Sequence, residues 1–340
     1  MRDKMDKEAL LYVKLENKAV RCALCAHRCT IKPGDKGICG VRENRDGTLY
    51  TLVYGKTISA AVDPIEKKPL FHFYPGATAF SIATVGCNFH CAFCQNADIS
   101  QAPHEQQHWE RWSRQLAPAQ VVSLAQQKGC RAIAYTYTEP TVFFEYARDC
   151  AALAASAGLK NVFVSNGYMT PEALDVIGGD LHAANIDLKG NDEFYRRLCG
   201  GRMQPVIDSI LKMKEMGVWV EVTTLVIPGH NDDEQTLREI AAFLASVDPD
   251  MPWHISRFTP RYKLLDAPPT PVSTLHRAAE IGYAAGLRYV YAGNVPGSPY
   301  EHTRCPACGQ ICVHRHGYFT RNLMHKRACP TCGYELAFVI

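Results

Sequence analysis

Nowhere does the 340-residue sequence contain an unbroken apolar run of about 18 residues, the length a membrane-spanning helix needs. It also lacks a marked charge of either sign. The 37 basic and 34 acidic residues leave a net charge of +3, and the basic residues are scattered. This argues against a nucleic-acid or anionic-membrane partner. The opening stretch MRDKMDKEAL is too charged for a secretory leader, so a cytoplasmic, thiol-preserving setting is expected. Apolar residues at 47% and charged residues at 21% are ordinary globular usage, enough for a large core.

What the sequence has in excess is cysteine. Fifteen are present, an odd number, and they are clustered. Four lie between Cys22 and Cys39, three between Cys87 and Cys94, and five between Cys305 and Cys332. CxxC spacings without a leader point to metal sites rather than disulfides.

Three regions follow from the pattern. Residues 1–72 carry the first cluster, with turns at Pro33-Gly34-Asp35 and Asp46-Gly47 and a short helical stretch expected near Glu8–Val13. Residues 73–298 alternate apolar, β-rich runs with helical patterns at about 30-residue intervals. Strands apolar on both faces predict a parallel sheet wrapped by helices, either a partial or complete barrel or an open doubly wound sheet. In each case the chemistry belongs at the C-terminal ends of the strands. Residues 299–340 are too few to build a core without a staple.

Directly after the first predicted strand stands Cys87-Asn88-Phe89-His90-Cys91-Ala92-Phe93-Cys94. Three thiolates in eight residues can ligate three irons of a [4Fe-4S] cube and leave the fourth open. The alternatives are a zinc site completed by His90 and three buried, metal-free thiols. The second strand ends at Glu139-Pro140, where Glu139 is either a ligand contact or a helix-start carboxylate. The third ends at Ser165-Asn166-Gly167, suited to ribose or carboxylate contacts or to a plain turn. The fourth ends at Asp187-Leu188-Lys189, whose alternation puts both charges on one face. The sixth carries His254, a proton-relay candidate or a core histidine, followed by Arg257, Arg261 and Tyr262 as candidate anion contacts.

Cys305-Pro-Ala-Cys308-Gly and Cys329-Pro-Thr-Cys332-Gly read as the two knuckles of a zinc ribbon, or of a rubredoxin-type iron site with the same ligands. Cys22, Cys25, Cys29 and Cys39 form another candidate site, for zinc or a second iron–sulfur cluster, with His27 able to replace one cysteine. The turn at Pro33-Gly34 brings Cys39 back toward the others.

The Cys87–Cys94 motif, with Phe93 before its last cysteine, resembles the signature of the radical S-adenosylmethionine (SAM) superfamily. With Cys22–Asn44, Tyr135–Tyr146, Val162–Tyr168, Ile186–Lys189, Trp253–Tyr262 and Tyr291–Cys308, nearly the whole chain resembles the radical SAM enzymes of the AmmeMemoRadiSam system, relatives of pyruvate formate-lyase activating enzyme. That resemblance implies a partial (β/α)6 TIM-type barrel, a [4Fe-4S] cluster and SAM. It implies a SAM contact from Glu139 and site roles for Phe93, Asp187 and Lys189; with Asn166, read from its strand-end position, these are the candidate cofactor contacts, and Glu139, Asp187, Lys189 and His254, the last read from its strand alone, are the candidate catalytic residues. A flavodoxin or ferredoxin reductant and Memo-like and AMMECR-like partners are further implications. Where the superfamily often has Gly-Gly-Glu-Pro, this chain has Tyr137-Thr138-Glu139-Pro140. Competing readings are an activase that installs a glycyl radical, and a non-enzymatic iron–sulfur or nucleic-acid-binding zinc-ribbon scaffold.

Overall fold

The computed structural model describes residues 6–340; the first five residues of the charged opening stretch lie outside it. One eight-stranded sheet organises the chain. Its strands are β1 (Ser59–Pro64), β2 (Thr78–Ala83), β3 (Ala132–Tyr135), β4 (Lys160–Ser165), β5 (Ala183–Asp187), β6 (Trp219–Val226), β7 (Trp253–Arg257) and β8 (Val290–Gly293). They pair in sequence order. All neighbours are parallel except β1, which runs antiparallel to β2. No bond joins β1 to β8, so the sheet is an open, partial barrel.

Helices α1 (Pro118–Gln127), α2 (Phe144–Ser156), α3 (Pro171–Ile177), α4 (Gln204–Glu215), α5 (Glu234–Val247) and α6 (Val272–Ala284) follow β2 to β7 in turn. Six strand–helix units and a seventh parallel strand match the (β/α)6 expectation. Local chemistry sets the punctuation: Pro171 opens α3 behind the Thr170 cap, and Asp233 caps α5 through the Thr236 amide. The strands bury both faces, as parallel strands under helices must.

Two readings of the N-terminal region need correction. The stretch near Glu8–Val13 forms two short strands, Lys7–Glu8 and Tyr12–Lys14, because each finds an antiparallel partner and Leu11 between them takes φ 55°. Ser59–Pro64, assigned above to the first region, is an edge strand of the barrel sheet.

The two flanking regions sit at opposite ends of this sheet. The loop from β1 to β2 lies at the N-terminal edge of the parallel strands. The C-terminal ribbon packs there: His72 Nδ1 bonds Ala337 O at 2.7 Å, Val339 bridges Phe73, and Arg315 donates to Phe71 O. The N-terminal region covers the other end, where the Ala26 amide donates to Tyr168 O and Thr170 Oγ1 to Ala23 O, just past β4.

Candidate active site

The connection from β2 to α1 begins with the cysteine motif, so Cys87, Cys91 and Cys94 stand at the C-terminal ends of the strands. The loop is clamped from several sides. The His90 and Ala92 amides donate to the Cys199 and Leu198 carbonyls, and Gln101 bonds both His90 Nδ1 and the Phe89 carbonyl. Donors face the sulfurs: the Phe89 amide at 3.3 Å and Asn166 Nδ2 at 3.8 Å from Cys87 Sγ, and Ser100 Oγ at 3.3 Å from Cys94 Sγ. Amide and hydroxyl donors aimed at sulfur stabilise thiolates.

Glu139, just past β3, is buried, and its carboxylate is fully engaged. Oε1 accepts from the Thr141 amide, Thr141 Oγ1 and Ser165 Oγ at 2.9, 2.5 and 2.8 Å; Oε2 accepts from the Asn166 amide at 2.8 Å. It thus caps the turn before α2 and ties the ends of β3 and β4 together. Burial holds its pKa above the usual carboxylate range despite these donors. Asn166 extends the chain of bonds, its Nδ2 donating to Asn88 Oδ1 at 2.7 Å.

At the end of β5, Lys189 Nζ lies 2.7 Å from Asp187 Oδ2 and 5.9 Å from the Phe93 ring centroid. Burial acts to lower the Lys189 pKa, but the charges of Asp187 and Cys91 more than offset it and hold the lysine protonated. A cation beside the cysteine loop favours bound anionic sulfur. The Cys91 thiol is lowered first by a hydrogen bond from Cys199, with Lys189 adding to it. Cys199 is a site neighbour that sequence reasoning passed over, since it stands alone in the chain and only the fold brings it to Cys91.

His254 does not join this group. Its Nε2 bonds Glu221 Oε2 at 2.7 Å, and its ring packs on Phe71 and Tyr291. Glu221 also accepts from the Phe71 and His72 amides of the β1–β2 loop. His254 therefore lies on the barrel floor, opposite the cysteine loop. The catalytic role expected for it is corrected to a packed, hydrogen-bonded core residue. Arg257 and Arg261 stand at the catalytic end, lining one cavity with Gln95, Thr259 and Asn294.

The ribbon cysteines are arranged differently from the three of the Cys87–Cys94 loop. Cys305, Cys308, Cys329 and Cys332 place all four sulfurs within 4.8 Å of one another, with pairs at 3.6 and 3.7 Å. One ion with 2.3 Å metal–sulfur bonds in a tetrahedron sets its ligands about 3.8 Å apart, so these four fit a single zinc or iron ion. Among the described residues no other three potential ligands come that close, so the sulfurs of Cys87, Cys91 and Cys94 are spaced wider. A cube gives each thiolate its own iron and needs the wider spacing. The donors, the nearby cation and this spread fit a [4Fe-4S] group.

The sequence pattern of the radical SAM superfamily matches residues 81–241, from β2 into α5. The chain belongs to the radical SAM superfamily. It is 43% identical over 338 residues to an uncharacterized protein of Methanocaldococcus jannaschii, covering 98% of this chain and all of the relative. It is 26% identical over 159 residues to a GTP 3',8-cyclase of Listeria welshimeri, 44% of this chain and 45% of that one. A radical SAM methyltransferase structure from Sphaerobacter thermophilus, 17% identical, superposes with a TM-score of 0.50 over 66% of this chain and 68% of that chain, a likeness of fold alone. Membership makes the chain an enzyme and implies a [4Fe-4S] cluster and SAM; radical SAM enzymes generally need a reductant such as flavodoxin or ferredoxin. No helix among the described residues is long and apolar enough to cross a membrane.

Proposed function

We propose that this radical SAM enzyme cleaves SAM reductively and uses the product to abstract hydrogen from an anionic substrate. The carrying observation is the convergence of Cys87, Cys91, Cys94, Asn166, Asp187 and Lys189 at the ends of neighbouring strands. When bound, cluster and SAM supply the one-electron cleavage that yields methionine and a 5'-deoxyadenosyl radical. The chain's own part is to hold, orient and shield. Cys87, Cys91 and Cys94 would hold the cluster through three of its irons. Asn166 and Glu139 fix the loop over the strand ends, and Lys189 balances the anionic sulfur. The cavity at Gln95, Arg257, Arg261 and Asn294 sits beside the last cysteine and offers two guanidinium groups with no carboxylate in its lining. A substrate carboxylate or phosphate suits it.

Memo-like and AMMECR-like partner proteins belong to this reading through the resemblance alone, and copurification tests them. The test of the core claim is oxygen-free reconstitution with iron and sulfide, reduction by dithionite, and quantitation of 5'-deoxyadenosine. Product from the wild type and none from Cys91→Ala supports the proposal. Absence of product from a fully loaded wild-type enzyme overturns it. An activase would instead leave a glycyl radical on a partner protein, visible by electron paramagnetic resonance.

A further inference from the structure

Cys22, Cys25, Cys29 and Cys39 line one cavity together with His27, Arg42, Asn88 and Thr141. The fold assembles this quartet deliberately. Val20–Cys22 pairs with Thr30–Ile31, the Cys22 amide donates to the Cys29 carbonyl, and Cys25 bridges to Met169.

Spacing decides between a single ion and a cluster. The ribbon is the internal reference, its sulfurs close enough for one ion. The N-terminal quartet surrounds a common space, yet no three of its potential ligand atoms fall within 4.8 Å of one another. In this it matches the catalytic loop. Four thiolates around one cavity, not drawn together as the ribbon's four are, suit a polynuclear group.

Location gives it a task. The quartet sits at the catalytic end of the barrel, and the ribbon at the other. His27, which lines the quartet's cavity, places Nε2 at 2.8 Å from the Asn88 carbonyl, and Asn88 follows Cys87 directly. Gly86, just before Cys87, has φ 98°, and a Cβ on it would meet Val41 at 2.8 Å and the Cys39 carbonyl at 3.2 Å. The two cysteine loops are therefore packed against each other.

We propose that Cys22, Cys25, Cys29 and Cys39 ligate a second [4Fe-4S] cluster that relays electrons to the catalytic cluster over the His27–Asn88 contact. The relay rests on the catalytic reading above; the cluster itself does not. Four protein thiolates leave no iron open to SAM. The cluster accepts one electron from a ferredoxin- or flavodoxin-type protein and is reoxidised as the catalytic cluster takes that electron.

The test is a variant with Cys87, Cys91 and Cys94 all replaced by alanine, reconstituted anaerobically and assayed for iron, acid-labile sulfide and zinc. The expected result is about four irons and four sulfides per chain with a reducible cluster signal. Sulfide separates this from a mononuclear iron in the ribbon. Loss of all sulfide, or two zinc ions per chain, overturns the proposal. This readout needs no SAM cleavage, so it is independent of the catalytic test. In the otherwise wild-type enzyme, His27→Phe should keep its iron but slow reduction of the catalytic cluster by reduced ferredoxin several-fold; an unchanged rate overturns the relay.

Discussion

Asn96 Nδ2 donates a 2.8 Å hydrogen bond to the carbonyl of Tyr137, a residue held in the left-handed region at φ 65°. Tyr137 occupies the position where the superfamily often carries glycine. The backbone conformation that suits glycine is present, but a tyrosine adopts it, at a cost of about 1–2 kcal/mol. Its side chain offsets that cost. The hydroxyl bonds Asp63, and the Lys68 ammonium lies 4.4 Å from the ring centroid.

Tyr137→Gly should therefore retain SAM cleavage, because the turn above the cysteine loop keeps its shape. Tyr137→Val should lose most of it and lower the melting temperature, since a β-branched residue fits that region poorly. Yields of 5'-deoxyadenosine and thermal melts check both. Equal activity in the two variants would show that the conformation is dispensable.

The N-terminal region is pinned to the barrel by Arg42 and Glu145, a buried pair at 2.8 Å, with Arg42 also donating to Leu10 O. Glu145→Leu should cost about 3–5 kcal/mol by stranding the guanidinium. Arg42→Met combined with Glu145→Leu should recover much of the loss. Anaerobic urea denaturation provides the measurement, and additive losses would contradict the pairing.

Lys189 and Asp187 should separate in their effects. Lys189→Met removes the cation near Cys91 and leaves a partly exposed carboxylate, so iron content should hold while SAM cleavage falls. Asp187→Asn leaves a buried lysine without its counter-charge and should cost about 3 kcal/mol of stability as well. Iron assays, product yields and denaturation curves distinguish the two patterns.

His72 supplies a pH dependence. Burial lowers its pKa to about 3 from the ordinary 6.5. Its Nδ1–H donates to Ala337 O, so Nε2 is left to accept from Tyr291. A depressed folded pKa leaves the stability contribution intact above pH 6.5 and removes it as pH falls toward 3. Between pH 7 and 4 the loss should be on the order of 3 kcal/mol. His72→Gln should lack this share of the slope in denaturation series; an unchanged slope would assign it to other groups.

The parallel core was legible because its signals are local. Gly129, Gly158, Gly217 and Gly286, which end their helices, all take positive φ. The cysteine loop and the Asp187–Lys189 pair stand together because parallel strands present their C-terminal ends together. What escaped depended on distant partners. Val13 pairs with Arg21, Ser59 with Ala83, and Cys199 meets Cys91 only through the turn past β5. Between its two readings His254 could not be placed from sequence, because period-two alternation says which face a side chain takes, not how far along the barrel it sits.

A sheet that never closes keeps two raw edges, each a template for a strand from another molecule. Here both are blunted. Val290–Gly293 is four residues long, with Tyr291 bonded to Thr303 at its base. Ser59–Pro64 ends in a residue with no N–H to donate, and its Asp63 is buried between Lys67 and Lys68. The unclosed architecture that leaves room for a large cofactor assembly is thus protected from self-association by a proline, a short strand and a charge turned inward.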